Sequence, residues 1–257
     1  MLLLKITLVP FFLLVLSLAQ RLWGSSIAGW LGGLPVVAGP ILFLLTLQQG
    51  EAFGAQASTI SLAAIFASEM FNLTYARSSR MWSWKLSLLF SLLSWIFAAT
   101  ILALLAPTLP YAMLLAGLSV VTTPQLLPAN STIQSTAYPQ GGDDLKSKII
   151  IGTFLTFIIT GISPFVGADW SGILAVFPLL GLVMCVSTHQ RYGSDQVILM
   201  VRGMVFGRYS FAAFCIYLSF TLTHQTPYIA FTLACAISIV VQATTRFLMS
   251  KERFIKT

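Results

Sequence analysis

Two residues of opposite charge stand where charge is expensive. Glu69 lies in the run Gly54–Tyr75 (GAQASTISLAAIFASEMFNLTY), long enough to span a bilayer and otherwise free of formal charge. Arg208 lies in the middle of a second apolar run, residues 194–222. A charge at the bilayer centre costs about 2.5–3.5 kcal/mol on insertion scales, and such residues pair with each other or mark a substrate or ion path. A buried carboxylate can exchange a proton or hold a cation. An arginine can neutralise that carboxylate or hold an anion. The pair is therefore a candidate coupling site, with a permanent ion pair that locks two helices as the competing reading.

The surrounding residues define the face that carries Glu69. At about 100° per residue, Gly54, Ser58, Ser61, Ile65, Glu69 and Asn72 fall within an arc of about 80°. Such a stripe faces protein or a water-filled cavity. Ser58, Ser61 and Asn72 join Glu69 and Arg208 as candidate substrate or ion-coupling residues. Arg202 is ranked behind them, since it lies about 120° away from Arg208 around the helix and can extend toward the membrane surface.

These residues must be positioned by helices in a membrane. Of the 257 residues, 57% are hydrophobic and only 8% charged, against about 25% charged in a soluble domain. The net charge of +7 does not indicate nucleic acid, because the positives sit in alternate loops. Hydropathy and loop charge predict an all-α, polytopic membrane protein of about nine transmembrane helices: 2–20, 26–47, 52–75, 82–106, 109–127, 148–165, 170–188, 194–222 and 228–248. Arg21, Arg77 and Arg80 with Lys85, Lys146 with Lys148, His189 with Arg191, and the C-terminal cluster lie at one set of connections. The other connections hold no Lys or Arg. The positive-inside rule then places the N-terminus outside and the C-terminus in the cytoplasm of a bacterial inner membrane. Lys5 is the one dissenting charge. The first run also has the shape of a signal peptide, with Ser17-Leu18-Ala19 as its cleavage site; its use in the repeat below argues for a span.

The chain aligns with itself when shifted by 143 residues. Ala28–Gly50 (AGWLGGLPVVAGPILFLLTLQQG) falls on Ser171–Gly193 (SGILAVFPLLGLVMCVSTHQRYG), with Gly29 on Gly172, Pro35 on Pro178 and Gly50 on Gly193. Farther on, Phe66 meets Tyr209 and Phe71 meets Phe214. This predicts a first four-helix unit (1–106), a linker helix with a cytoplasmic loop (107–147), and a second four-helix unit with a short tail (148–257). A single linker helix turns the second unit upside down, the arrangement of many secondary transporters. Inversion puts Arg208 level with Ile65, one turn or about 6 Å from Glu69, within reach of an arginine side chain.

In the second half, Gly172-Ile-Leu-Ala-Val-Phe-Pro178, then Gly193 and an apolar run with Gly207 and Ser210, resembles the GlpM-like group of small bacterial inner-membrane proteins. The resemblance covers about fifty residues of this half and implies membrane residence and little mechanism. This chain would be two such units fused. The small multidrug proteins and the drug/metabolite transporters are analogous in architecture, with antiparallel or fused inverted halves.

Helix breaks mark where a cavity is expected. Gly33, Pro35, Gly39 and Pro40 crowd the second span, and Pro178 stands at the matching place in the seventh. Proline removes a helix hydrogen bond and clashes with the preceding turn, and interrupted spans at matching positions point to a midplane binding site. Gly29-x-x-x-Gly33 and Gly203-x-x-x-Gly207 are spacings for close helix packing. Cys185, Cys215 and Cys235 fall inside spans and His189 and His224 at opposite faces, so no metal site is expected. No cofactor motif occurs. Glu51 and Asp169 read as solvated surface charge on the outer side.

The function expected from these features is secondary transport, with proton- or cation-coupled export of a small molecule, including an amphipathic or drug-like one. The partners are the lipid bilayer and the small-molecule or ion substrate. A channel wants a continuous polar path, and an enzyme wants convergent titratable groups near one face. A structural or accessory membrane protein is the main alternative, an ion channel the next.

Overall fold

The computed structural model describes residues 2–129, 150, 151, 153, 154, 157, 161 and 167–255. The sixth expected span and the charged loop before it lie largely outside the described residues. The described residues are helical, with no strand among them. In chain order the helices are α1 (Leu2–Trp23), α2 (Ser25–Gly32), α3 (Ala38–Gln49), α4 (Glu51–Ala63), α5 (Ile65–Ser78), α6 (Trp84–Leu105), α7 (Leu109–Leu126), α8 (Gly167–Ala175), α9 (Leu179–Thr221) and α10 (Pro227–Ile255). Among the described residues, four stretches are long and apolar enough to cross a membrane: α6, α7, Asp169–Thr221, and Pro227–Phe247 within α10. This is compatible with a multi-pass membrane protein.

The expected spans are subdivided. The second is α2 and α3, separated where Gly33-Leu34-Pro35 interrupts the helix. The third is α4 and α5, joined through Ala64, whose φ of −67° and ψ of −8° stay in the right-handed helical region. The seventh is α8 and the start of α9, separated by Val176–Pro178. The helix α9 is itself divided by Gly193, whose φ of 79° and ψ of −179° no helix allows. Gly50, between α3 and α4, has the same backbone shape, with φ 98° and ψ 168°.

The outer helices carry large apolar side chains outward and small ones inward. On α6, Leu89, Phe90, Leu93, Ile96, Phe97 and Leu104 are exposed. The buried face of α6 is Ser87, Ser91, Trp95, Ala98, Ala99 and Leu102. That polarity suits lipid, where small residues let helices approach. Helices α6 and α7 both pack on α5. The chain turns between them at Ala106, in the left-handed region with φ 39°, before Pro107, which disfavours further helix at the preceding residue.

Helix α4 is buried on nearly all sides. From Gly54 to Ala63 nearly every residue of α4 is enclosed, Gln56 excepted. Helix α2 packs on the second segment of α9, and α8 packs on α4. Glycines permit both crossings. A Cβ on Gly29 would overlap the backbone carbonyl of Met200, and one on Gly172 would overlap that of Ala57. The two small-residue spacings face each other: a Cβ on Gly33 would overlap Gly207, and one on Gly203 the carbonyl of Ser26.

Candidate ion pair and cavity between two interrupted helices

Glu69 and Arg208 meet. Helix α5 holds the carboxylate at 2% exposure, and Arg208 Nε donates to Glu69 Oε1 at 3.3 Å from α9. Asn72, one turn along α5, donates from Nδ2 to the same oxygen at 3.3 Å. Glu69 Oε2 and Asn72 Oδ1 are buried without a hydrogen-bond partner among the described residues. A buried ion pair of this kind gives little net stability, because desolvation offsets the attraction, yet removing one partner is costly.

The other expected coupling residues stand apart from the pair. Ser58 donates to Gly54 O within its own helix, at 2.8 Å. Ser61 donates to Gly172 O at 2.8 Å and so fastens α8 onto α4. Arg202 donates to Pro128 O at 2.9 Å. There it joins Arg77, which donates to Leu126 O at 3.0 Å, and Arg80, which bonds Ala129 O. Three arginines thus bind the carbonyls at and just beyond the C-terminal end of α7, where a positive charge complements the helix dipole.

The two interruptions enclose a cavity of about 50 Å³. Its wall takes Gly32, Leu34, Val37 and Ala38 from the first break and Ala175 to Gly181 from the second, with Met204, Arg208 and Phe211 from α9. Under the same 143-residue shift, the four residues of the first break correspond to Ala175, Phe177, Leu180 and Gly181. Of the residues expected to line a cavity, Pro178 does so. Gly33 is used in the crossing with Gly207, Gly39 sits near Phe214, Pro35 lies in the break but outside the wall, and Pro40 lies in the first turn of α3.

No family model, curated protein or solved structure matches this chain. The likeness to the GlpM-like group rests on the motif quoted for it.

Sequence reasoning missed two features. One is the first turn of each restarted helix. The N–H groups of Val37, Ala38, Leu180 and Gly181 have no backbone acceptor among the described residues. Proline at each break was the available signal, since a restarted helix leaves its first N–H groups without an intrahelical partner. The other is Trp30, at the end of α2. Its Nε1 donates to Thr245 Oγ1 at 3.1 Å, and its carbonyl accepts from Gln242 Nε2 at 2.7 Å.

Proposed function

We propose that this chain is a secondary transporter of a bacterial inner membrane, with nine spans in two inverted four-helix units. Its midplane site comprises the Glu69–Arg208 pair and the adjoining cavity, and it couples export of a small molecule to a proton at Glu69. The observation that carries the reading is the ion pair. It joins α5 of the first unit to α9 of the second, and Arg208 also lines the cavity between the two breaks. A carboxylate whose only charged partner among the described residues sits on the opposite unit changes its environment when the units move, which is what coupling requires.

The inverted repeat is supported by reciprocity. Gly29 meets Met200 while Gly172 meets Ala57, and these four positions are related pairwise by one shift of 143. Such exchange of partners is what a two-fold relation between halves produces. Gly50 and Gly193, also related by that shift, share a positive φ and an extended ψ. The cargo is small: about 50 Å³ is well below the 300–1,000 Å³ of sites for drug-sized ligands.

The test is transport in proteoliposomes under an imposed proton gradient. The expected result is substrate-dependent proton movement in wild type and none in Glu69→Gln, with substrate still bound. Equal proton movement in both would remove Glu69 from the mechanism.

A further inference from the structure

A row of orphaned polar atoms leads away from the ion pair. Glu69, Asn72 and Tyr75 stand at successive turns of α5, so about 9 Å of axis separates the first from the last. All three are buried, and each has a side-chain atom without a hydrogen-bond partner among the described residues: Glu69 Oε2, Asn72 Oδ1 and Tyr75 Oη. His189 of α9 continues the row with Nδ1, also buried and without a partner among the described residues. We infer that these four residues, with water between them, form a proton path that joins Glu69 to one end of the helix bundle and opens there through His189. This rests on reading Glu69 as the coupling carboxylate, and it names the route by which its proton departs.

The packing of α9 on α5 aligns the four groups. A Cβ on Gly181 would lie 3.8 Å from Asn72 Oδ1. One turn on, Cys185 lies beside Tyr75. A further turn on, the His189 ring meets the Tyr75 ring edge to face, with centroids 6.0 Å apart. The first segment of α9 therefore runs alongside α5 in the same direction. Helical side chains lie over the turn before their own, so Tyr75 leans back toward Asn72 and His189 back toward Tyr75. The Phe71 ring, one turn before Tyr75, accordingly lies 6.0 Å from it between centroids. His189 is partly exposed and Gln190 is exposed. The row thus runs from an enclosed carboxylate to the surface.

Four such atoms in one row are costly in an apolar layer unless water reaches them. The cavity lined by Arg208 and Gly181, about 50 Å³, has room for about three or four waters near the Glu69 end. Asn72 can only seat a water, whereas a phenol and an imidazole can each take one proton while giving up another. In the step toward the surface, the Glu69 carboxyl gives its proton to a water at Asn72 Oδ1. That water passes a proton to Tyr75 Oη as the phenol gives its own to His189 Nδ1. His189 releases the proton of its other ring nitrogen to bulk water. The water and Tyr75 end with the protons they began with, His189 ends in its other tautomer, and Glu69 ends ionised beside Arg208. Tautomer exchange through water resets His189.

The charged group against Glu69 is Arg208 on α9. Cys215 also interacts with Arg208, and Cys185 with Tyr75. The mouth of the path is ringed by charge. Arg77 and Arg80 end α5, Arg191 and Asp195 follow His189 on α9, and Lys85 opens α6. Arg80 Nη2 stands 3.6 Å from Asp195 Oδ1. Arg21 ends α1, whose Gln20 donates to Thr188 Oγ1, next to His189, at 2.8 Å. This is the end that the proposed topology makes cytoplasmic.

The experiment is rapid-mixing infrared spectroscopy of the full-length protein in detergent, jumped from mildly alkaline to mildly acidic conditions and back. The Glu69 carboxyl band is assigned by its loss in Glu69→Gln. Proton transfer by a positioned side chain is worth about 10²–10⁴-fold, so His189→Ala should slow the rise and decay of that band at least tenfold. Added imidazole should restore the rate in His189→Ala, which it would not do for a loss of packing. Tyr75→Phe, which keeps the ring contacts with Phe71 and His189, should slow the band likewise. A wild-type rate in either variant overturns the path, as does slowing in His189→Ala that imidazole leaves untouched. A wild type without the band overturns the path together with coupling at Glu69. Wild-type exchange in His189→Ala, with proton-driven transport that Glu69→Gln abolishes, would overturn this path and leave the transporter standing. Exchange that depends on His189, with no proton-driven uptake of ethidium, tetraphenylphosphonium or formate in proteoliposomes, would support the path and count against the transporter.

Discussion

At the scale of the residue, the pair Glu69–Arg208 was legible because each charge is alone in an apolar run, and lone charges in a membrane seek each other. A cycle of Glu69→Gln, Arg208→Met and the double variant checks their interdependence. Arg208→Met alone should lower stability, because it strands a buried carboxylate, and Glu69→Gln added to it should recover much of the loss. The non-additivity should be about 0.5–3 kcal/mol, measured as thermal stability in detergent. Additive effects would mean that the two groups do not sense each other. What the residues alone did not reveal was which hydroxyls join the pair. Ser58 and Ser61 share the helical face of Glu69, yet each hydroxyl finds a backbone carbonyl, in its own turn or in α8. Angle around a helix gives a face, whereas a serine's partner depends on what packs there. Arg202 went the same way, drawn to the end of α7 by carbonyls no periodicity could locate.

At the scale of the element, the breaks were readable from proline and glycine, and their exact limits were not. The halt at Gly32 and restart at Ala38 follow from Pro35. The conformations of Gly50 and Gly193 follow from nothing local, since glycine permits them without requiring them. They give a clean pair of predictions. A Cβ at Gly193 or Gly50 meets no atom within 4 Å, yet φ there is 79° and 98°. Gly193→Ala should therefore cost about 1–3 kcal/mol by backbone strain alone. Gly117, inside α7, is equally open but helical. Gly117→Ala should stabilise by up to about 1 kcal/mol. Thermal melts of the two variants should move in opposite directions; a shared direction would refute the strain argument. Gly203→Ala belongs to a third kind. Its Cβ would overlap the carbonyl of Ser26, with backbone on both sides, so α2 must shift away from α9 and the protein should lose stability outright.

At the scale of the whole molecule, a helical fold compatible with a membrane, as the described residues have it, was evident from composition, and the inner layer was not. Helices α6, α7 and α10 announce themselves by length and apolarity. Helices α2, α3, α4 and α8 are short, and hydropathy alone merges them into longer spans. The proposed topology is tested by a reporter fused after Thr257, which should be active only in the cytoplasmic form. Periplasmic activity would invert the orientation drawn from loop charge.

The reciprocal crossings also govern how the chain comes into being. Helix α2 finds its seat on Met200 and Gly203, which are translated long after it, and α4 waits likewise for Gly172. At about 5–20 residues per second, the first half leaves the ribosome roughly ten to thirty seconds before its partner surfaces. During that time Ser58, Ser61 and Glu69 lack the neighbours that cover them. The nascent half should then be open to membrane chaperones and proteases. Residues 1–127 expressed alone should be degraded, and co-expression of the remainder in trans should rescue them.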